Sequence, residues 1–317
     1  MKTGSHAHLL NHELKALEWY KEPENERRNR RLMKPFQYRK PLSLAGALEA
    51  LEEENTRILA GGSDLLVEMR EGKSHPECIV DVKAIPELAC FSIGEDRVII
   101  GGRVTLHQIS ESKLLARTCP VLVDAARTVA TPQVRNRATL VGNLCTTSPA
   151  ADLAPPLFVL GAVVVVTSKE GEQNIPIQQF FKGPKKNCLQ PGQLVLRVEI
   201  PLPSHGRGVF LKKARVQGHD LATINLAGWA NPRDGLLRVC IGACGPTPVL
   251  LAGSDELFRG ANSREKLIDG LTTLAQDQIA PIDDLRASAA YRRALVAVFL
   301  RRMTRVLFSE EGGWPSA

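Results

Sequence analysis

Residues 139–152 read TLVGNLCTTSPAAD, a small and polar segment that lies between a basic turn and a long apolar run. Gly142 has no Cβ and so leaves the backbone open to a ligand, while Asn143, Thr146, Thr147 and Ser148 add short polar groups. The carboxylate of Asp152 can accept hydrogen bonds from a ribityl, ribose or ring N–H group. The segment is typical of a loop that holds a phosphate ester. A plain Gly/Asn turn before a buried strand fits the same residues.

A second glycine segment favours the phosphate interpretation. Residues 58–66, ILAGGSDLL, predict a strand end, a Gly-Gly turn and the start of a helix. Free N–H groups at such a helix start favour an anion, and two backbone-exposing turns can grip one pyrophosphate. The spacing of a Rossmann GxGxxG turn and that of a P-loop are both missing, so neither nucleotide fold is expected.

Three motifs, in this order and spacing, resemble those of a known family. They are AGGSDLL at residues 60–66, RNRATLVGNL at 135–144 and SPAADLAP at 148–155. Together they resemble the FAD-binding medium subunit of the molybdenum hydroxylases, which include xanthine dehydrogenase, carbon monoxide dehydrogenase and 4-hydroxybenzoyl-CoA reductase. The likeness runs from about Met33 to near the C-terminus. It implies an α+β fold, in which a two-lobed FAD-binding clasp of the PCMH type is followed by a small C-terminal α/β domain.

The resemblance also implies a domain organisation. Residues 1–32 would be an N-terminal extension, and residues 33–208 would form the FAD-binding domain, with lobes at about 33–85 and 86–208. Residues 209–317 would form the C-terminal flavoprotein domain. The extension contains NHELKALEWY at residues 11–20, which predicts a short amphipathic helix that docks on a neighbouring subunit, or else a disordered leader.

By the same resemblance, cofactor contacts fall on both glycine segments and on later residues. The first segment would hold the pyrophosphate through backbone N–H groups together with residues 139–143, Asp152 would bind the ribityl or ring region, and Lys212 would approach the isoalloxazine. An alternative for Lys212 and Lys213 is that both are solvated strand residues. The expected cofactor-binding residues are Ala60, Gly61, Gly62, Ser63, Asp64, Leu65, Thr139, Gly142, Asn143, Thr147, Ser148, Asp152, Leu194 and Lys212.

No catalytic residue and no metal ligand are expected in this chain. Cys240 and Cys244 have no second pair or His cluster to complete a metal site, so they are interpreted as structural thiols. Cys145 lies inside the central motif, where it is either a small buried residue or a neighbour of the cofactor. The cysteine-rich insertion that carries an iron–sulfur cluster in the 4-hydroxybenzoyl-CoA reductase branch does not interrupt the central motif.

The family resemblance implies an electron-transfer subunit. Electrons would pass from [2Fe-2S] clusters in a small subunit through FAD in this chain to NAD+, a quinone or oxygen. A large subunit would hold molybdopterin, and the heterotrimer would be doubled. Two alternatives are a stand-alone FAD-dependent oxidoreductase of the same clasp fold and a scaffold subunit that binds no flavin. No convincing substrate base supports the first, and the intact glycine segments argue against the second.

Charge and composition exclude several other classes of protein. Residues 1–40 carry +5 of the total net charge of +7, without the aromatic platform of single-strand binders, so a solvated or partner-binding arm is expected rather than nucleic-acid binding. The longest apolar run, residues 153–166, is too short to span a bilayer. No signal-peptide pattern follows Met1, and seven cysteines without CxxC pairs indicate a reducing cytoplasm.

Local patterns predict several individual elements. Ser43 is expected to cap a helix over residues 44–51, and residues 97–101 and 163–167 are expected to be strands. Residues 193–201 alternate as in a half-buried strand. Residues 291–307 predict an amphipathic helix. Its expected apolar face consists of Leu295, Val298, Phe299 and Val306, and its expected solvated face of Arg292, Arg293, Arg301, Arg302 and Arg305.

Overall fold

A computed structural model describes residues 33–202, 205–216 and 220–308. The helix predicted at residues 11–20 lies outside these residues. Within the described ranges, no helix combines the length and the apolar character that a bilayer crossing requires. These described residues build one parallel sheet, two larger antiparallel sheets and a two-stranded sheet, with helices packed beside them.

The first unit is a small parallel sheet with two helices. Its strands are arranged in the order β1-β3-β2. The predicted cap is confirmed, because the Ser43 side chain accepts a hydrogen bond from the Gly46 N–H at 3.2 Å and Ala47 and Leu48 are buried. The elements are β1 (Gln37–Arg39), α1 (Leu44–Ala50), β2 (Thr56–Leu59), α2 (Leu65–Arg70) and β3 (Cys78–Asp81). Two 3₁₀ turns, Val82–Ala84 and Pro86–Ala89, follow.

The second unit begins with a hairpin and a run of helices. The strand predicted at residues 97–101 is confirmed, and Thr105 forms a capping box with Gln108 at the helix that follows it. The elements are β4 (Phe91–Ile93), β5 (Arg97–Gly101), α3 (Leu106–Glu111), α4 (Lys113–Thr118), α5 (Pro120–Thr128), α6 (Pro132–Arg135), α7 (Leu140–Thr146) and α8 (Ala154–Val159).

The rest of this unit completes an antiparallel sheet in the order β4-β5-β10-β6-β7. The buried strand predicted at residues 163–167 is confirmed. The elements are β6 (Val163–Ser168), β7 (Gly171–Pro176), α9 (Ile177–Phe180), β8 (Phe181–Gly183), β9 (Lys186–Asn187) and β10 (Leu194–Pro201), where β8 and β9 form a separate hairpin.

Strand β10 is buried more completely than the sequence indicates. Leu194 and Leu196 pack in the core of the first unit, whereas Val195, Val198 and Ile200 pack in the core of the second. The prediction of a half-buried strand was wrong over residues 194–196, because this strand lies between two hydrophobic cores and contributes to both. The strand thereby joins the first two units.

The third unit is an antiparallel sheet in the order β11-β12-β13-β14, covered by three helices. Strand β12 is buried along its whole length, as expected for a strand with a partner on each edge and helices against its face. The elements are β11 (Arg207–Lys213), β12 (Ile224–Asn231), β13 (Leu236–Gly242), β14 (Val249–Leu250), α10 (Ser254–Gly260), α11 (Arg264–Gln278) and α12 (Ala289–Leu307), with a 3₁₀ turn at Pro232–Asp234.

Helix α12 is present as predicted, but its buried face is different. Val298 and Val306 are 38% and 51% exposed, so two members of the predicted apolar face point to solvent. Arg292, assigned from the sequence to the solvated face, is 2% exposed. Its guanidinium donates to the carbonyls of Thr223 and Ile282 and to Asp284. Such a charge can be buried because all three partners are acceptors and one is a carboxylate.

Candidate functional site

The first glycine segment has the predicted strand–turn–helix structure. Strand β2 ends at Leu59, the turn contains Gly61 and Gly62, and α2 starts at Leu65. Gly62 has a φ of +76°, a conformation that residues with a Cβ rarely adopt. A Cβ at Gly62 would also lie 2.9 Å from Cδ1 of Leu59. The backbone conformation therefore favours glycine at this position, and a Cβ would also displace the Leu59 side chain.

Gly61 brings the two glycine segments together. A Cβ on Gly61 would lie 2.3 Å from the carbonyl oxygen of Arg137 and 2.9 Å from Cα of Ala138. These are backbone atoms and cannot rotate away, so the absence of a side chain is what permits the contact. The turn of the first unit thus lies directly against the chain that leads into the central motif. We call this contact, formed by residues 60–64 and 137–147, the glycine junction.

The first half of the predicted loop at residues 139–152 is the helix α7, whereas residues 147–152 are not helical. Thr139 is the N-cap of α7, and its Oγ1 accepts a hydrogen bond from the Gly142 N–H at 2.9 Å. The Asn143 N–H donates to the Thr139 carbonyl at 3.0 Å. The loop prediction was wrong over residues 140–146, because the threonine cap and three buried side chains, Leu140, Val141 and Leu144, outweigh the low helix propensities of Gly142 and Asn143.

Polar atoms at the junction lack protein partners. Thr147 ends α7 in the left-handed conformation, with a φ of +44°. Its Oγ1 and the Oδ1 of Asn143 are buried and have no hydrogen-bond partner among the described residues. Buried polar groups are normally satisfied, so these atoms mark positions where a polar ligand fits. Ser63 is partly buried nearby, and the Ser148 hydroxyl accepts from the Ala150 N–H at 3.3 Å.

A side-chain hydrogen bond crosses the junction. The Thr146 hydroxyl lies 3.0 Å from Oδ2 of Asp64 and 3.0 Å from the Gly142 carbonyl. A hydroxyl donates one proton, so it is shared between, or alternates between, these two acceptors. Asp64 is expected to contact the cofactor, and one of its two carboxylate oxygens has a partner within the protein. The bond holds α7 beside the first residues of α2.

A cationic cleft of about 310 Å³ opens beside the junction. Its lining includes Ala60 and Thr139, which were expected in the site, and Lys83, Arg103 and Arg137, which were not. Arg103 donates to the Lys83 carbonyl at 2.5 Å, and the Lys83 ammonium pairs with Asp81 at 2.7 Å. A polar cleft with cations beside open backbone suits a phosphate-bearing ligand. Sequence reasoning treated Arg137 as part of a basic turn and gave the other two cations no role.

A second group of polar side chains is buried between the second and third units. The Lys212 ammonium lies 2.6 Å from Oδ2 of Asp152 and 3.0 Å from the Thr128 carbonyl. The side chains of Lys212 and Asp152 are 9% and 7% exposed. The Asn225 amide donates to Oδ1 of Asp152 at 2.8 Å. We call Asp152, Lys212 and Asn225 the buried polar cluster.

Burial dominates the electrostatics of this cluster. Removal from water raises the pKa of Asp152, and the charge of Lys212 and the hydrogen bonds from Lys212 and Asn225 oppose that rise. The sequence allowed both Lys212 and Lys213 to be solvated strand residues. In the structure Lys213 is exposed, whereas the Lys212 side chain is buried. The sequence analysis gave Asn225 no role.

The remaining expected residues lie in ordinary packing environments. Leu65 begins α2, and Leu194 is 2% exposed in the core beside Leu196 and Leu88. Burial raises the pKa of the Cys145 thiol to about 12, so this thiol is protonated at neutral pH. Cys240 and Cys244 are buried free thiols. Over residues 33–202, 205–216 and 220–308, no group of three or more His, Cys, Asp or Glu side chains could hold a metal ion.

Comparisons with known proteins identify the family. Residues 34–203 match the family described as the FAD binding domain in molybdopterin dehydrogenase. The chain belongs to this family. Residues 209–307 match the CO dehydrogenase flavoprotein C-terminal domain. The predicted resemblance and the α+β class of the fold are confirmed, and this FAD-binding chain is a subunit of an oxidoreductase of the molybdenum hydroxylase type.

Individual relatives agree with this assignment. The chain is 27% identical over 283 residues to the putative xanthine dehydrogenase FAD-binding subunit XdhB of Escherichia coli, covering 87% of this chain and 97% of that protein. It is 33% identical over 226 residues to the caffeine dehydrogenase subunit beta of a Pseudomonas species, covering 68% and 76%. A chain of reconstituted CO dehydrogenase from Oligotropha carboxidovorans superposes with a TM-score of 0.83 at 27% identity, covering 87% and 98%.

Proposed function

We propose that this FAD-binding subunit takes electrons from [2Fe-2S] clusters of a small partner subunit and delivers them through FAD to an acceptor. The acceptor would be NAD+, a quinone or oxygen. A molybdopterin-binding large subunit would oxidise the substrate, and the three subunits would form a doubled heterotrimer in the cytoplasm. In support, this chain is similar to xanthine, caffeine and CO dehydrogenase subunits, and two of these relatives are named as FAD-binding or beta subunits.

The observation that carries the proposal is the glycine junction. Two segments from different units meet backbone to backbone at Gly61 and Arg137. Beside them lie a cationic cleft and the polar atoms of Asn143 and Thr147 that have no partner in the described part of the chain. Open backbone, unsatisfied polar groups and positive charge are together what a dinucleotide-like cofactor with a pyrophosphate requires. The residues at the junction meet these three requirements, so they fit FAD.

Each group of residues has a distinct part in holding the cofactor. Residues 60–65 and Thr139 would bracket the phosphates, with Ser63, Asn143, Thr147 and Ser148 as polar contacts. Arg103 and Arg137 in the cleft would contribute positive charge to the same anion. Leu194, the first residue of β10, is also proposed to contact FAD.

The buried polar cluster would lie at the other end of the cofactor. Asp152 and Lys212 are presented by the second and third units, so a ring bound beside them would contact both. FAD supplies the redox chemistry when bound, and the protein orients it and sets its electrostatic surroundings. Under this proposal the FAD-binding domain is residues 33–208, with lobes 33–85 and 86–208, residues 209–317 are the C-terminal domain, and residues 1–32 are an extension.

The test is to isolate the tagged chain with its native partners and, separately, to express it alone. The chain alone should release FAD on acid treatment and contain no stoichiometric iron. The native assembly should contain FAD together with iron and molybdenum, and should pass electrons to one of the three acceptors. A chain that stays colourless and takes up no added FAD would refute the proposed function.

A further inference from the structure

Asn225 is the second residue of β12, an inner strand of the third sheet, and belongs to the buried polar cluster. On β12 it is paired with Lys212 of β11 on one side and with Gly242 of β13 on the other. Its side chain is fully buried. A fully buried polar amide costs stability unless it forms hydrogen bonds. The hydrogen-bond partners of this amide are Asp152 and Ala151.

Both N–H groups of the amide are directed at one short segment. The Nδ2 atom lies 2.8 Å from Oδ1 of Asp152 and 3.3 Å from the Ala151 carbonyl. A flipped amide would set its oxygen against these two acceptors, so the chemistry of the partners determines its orientation. Asn225 therefore fixes one carboxylate oxygen of Asp152, while Lys212 binds the other at 2.6 Å.

Gly242 provides the space for this arrangement. A Cβ at Gly242 would lie 2.0 Å from Oδ1 of Asn225 and 3.3 Å from Cγ of Pro155. The oxygen itself has no hydrogen-bond partner among the described residues. Any residue other than glycine at 242 would force the amide of Asn225 out of its position. The two positions are thus coupled by direct contact across the sheet.

We propose that Asn225, accommodated by Gly242, is a positioning residue for FAD: it holds the Asp152 carboxylate, and through it the Lys212 ammonium, in the orientation that the bound cofactor requires. This inference rests on the proposed function, because Asp152 and Lys212 are taken to contact the cofactor. It adds two residues, Asn225 and Gly242, that act on the cofactor through Asp152 and Lys212. Their role is to keep a buried ion pair in one geometry.

The Asn225→Asp variant tests this role through pH. The titratable groups that the described structure places around this position are Asp152, from the second unit, and Lys212, from β11. In this variant the new carboxylate at position 225 and that of Asp152 would lie at hydrogen-bond distance, and two such carboxylates repel each other when both are ionised. One of the two therefore keeps its proton up to a higher pH than an isolated Asp does. With that proton, the new side chain donates to Asp152 as the amide does. As pH rises and the proton is lost, repulsion displaces Asp152.

The measurement is the dissociation constant of FAD for the full chain, followed by flavin fluorescence from about pH 5 to about pH 8. Relative to wild type at each pH, we expect Asn225→Asp to bind FAD with near-normal affinity at the acid end. At the alkaline end its binding should be weaker by about tenfold or more. Far-UV circular dichroism at each pH confirms that the variant is folded. A constant ratio between variant and wild type over the whole range would overturn the proposal.

A double-mutant cycle provides a second test that does not depend on Asn225→Asp folding well. Gly242→Ala should weaken FAD binding in the wild-type background, because its Cβ displaces the amide. In the Asn225→Ala background it should have little further effect, because the clashing oxygen is gone. Equal effects of Gly242→Ala in both backgrounds would contradict the positioning role of Asn225 and leave the proposed function intact. A wild-type chain that binds no FAD would instead refute the proposed function.

Discussion

The glycine junction and the buried polar cluster hold together different units of the protein by opposite means. At the junction, Gly61 contacts Arg137 and Ala138 through backbone atoms, and the contact depends on the absence of a side chain. In the cluster, the contact between Asp152, Lys212 and Asn225 is made by charged and polar side chains removed from water. We therefore expect the junction to be sensitive to added bulk and the cluster to be sensitive to lost charge.

The largest effect is expected from Lys212→Met. This change leaves Asp152 buried with one of its two side-chain partners removed, and breaking a buried pair in this way costs about 3–5 kcal/mol. The midpoint of urea unfolding measures the loss. Part of it should be recovered at low pH, because protonation removes the unpaired charge of Asp152.

Lys213→Met is the matched control for this prediction. Lys213 is the next residue on the same strand, and it is exposed. Its replacement should change the free energy of unfolding by no more than about 0.5 kcal/mol. Equal destabilisation by the two substitutions would show that the Lys212 pair is no more important to stability than a surface charge.

The fold was largely accessible from sequence because local signals agree with one another. In residues 58–66 the sequence predicted an apolar strand end, a Gly61-Gly62 turn and the start of a helix, and all three are present. The Ser43 cap was also predicted correctly. Periodicity was less informative about α12, because it shows which residues share a face and not which face meets the core. Arg292 was assigned to solvent for that reason, whereas its partners come from residues 223, 282 and 284.

The next largest effect is expected from Gly61→Ala. The added Cβ would meet the Arg137 carbonyl oxygen at 2.3 Å, so the backbones of the two segments must separate. Overpacking of this kind costs about 1–3 kcal/mol. Because the separation occurs where FAD is proposed to bind, we expect the affinity for FAD to fall by about tenfold or more. Isothermal titration of the apoprotein with FAD measures the change.

Two other glycines calibrate this result. Gly260→Ala is the control, because a Cβ there meets no atom within 4 Å and its backbone carries no positive φ. Gly142→Ala should have an intermediate effect, because its Cβ would meet the Thr139 Oγ1, a side-chain atom that can move, at 2.9 Å. An affinity for FAD in Gly61→Ala equal to that of the Gly260→Ala control would contradict the role assigned to the junction.

The candidate site was only partly accessible from sequence. Glycine motifs are contiguous, so the resemblance located both of them. The helical structure of α7 was missed because propensity at Gly142 and Asn143 favours a turn, while the burial of Leu140, Val141 and Leu144 depends on tertiary packing. Asn225 was missed because its partner, Asp152, is 73 residues away. No local pattern indicates such a contact.

The smallest effect is expected from Thr146→Val, which tests whether side chains contribute to the junction at all. Valine keeps the shape of threonine and removes the hydroxyl that lies 3.0 Å from Asp64. This hydrogen bond is exposed to solvent, so its loss should cost about 0.5–1 kcal/mol and raise the dissociation constant of FAD about two- to fivefold.

Thr146→Ser retains the hydroxyl and should keep the wild-type affinity for FAD. Asp64→Asn retains an acceptor oxygen and should resemble Thr146→Ser rather than Thr146→Val. If Asp64→Asn instead weakens binding more than Thr146→Val, then the carboxylate acts on the cofactor directly, and the junction depends on charge as the buried polar cluster does.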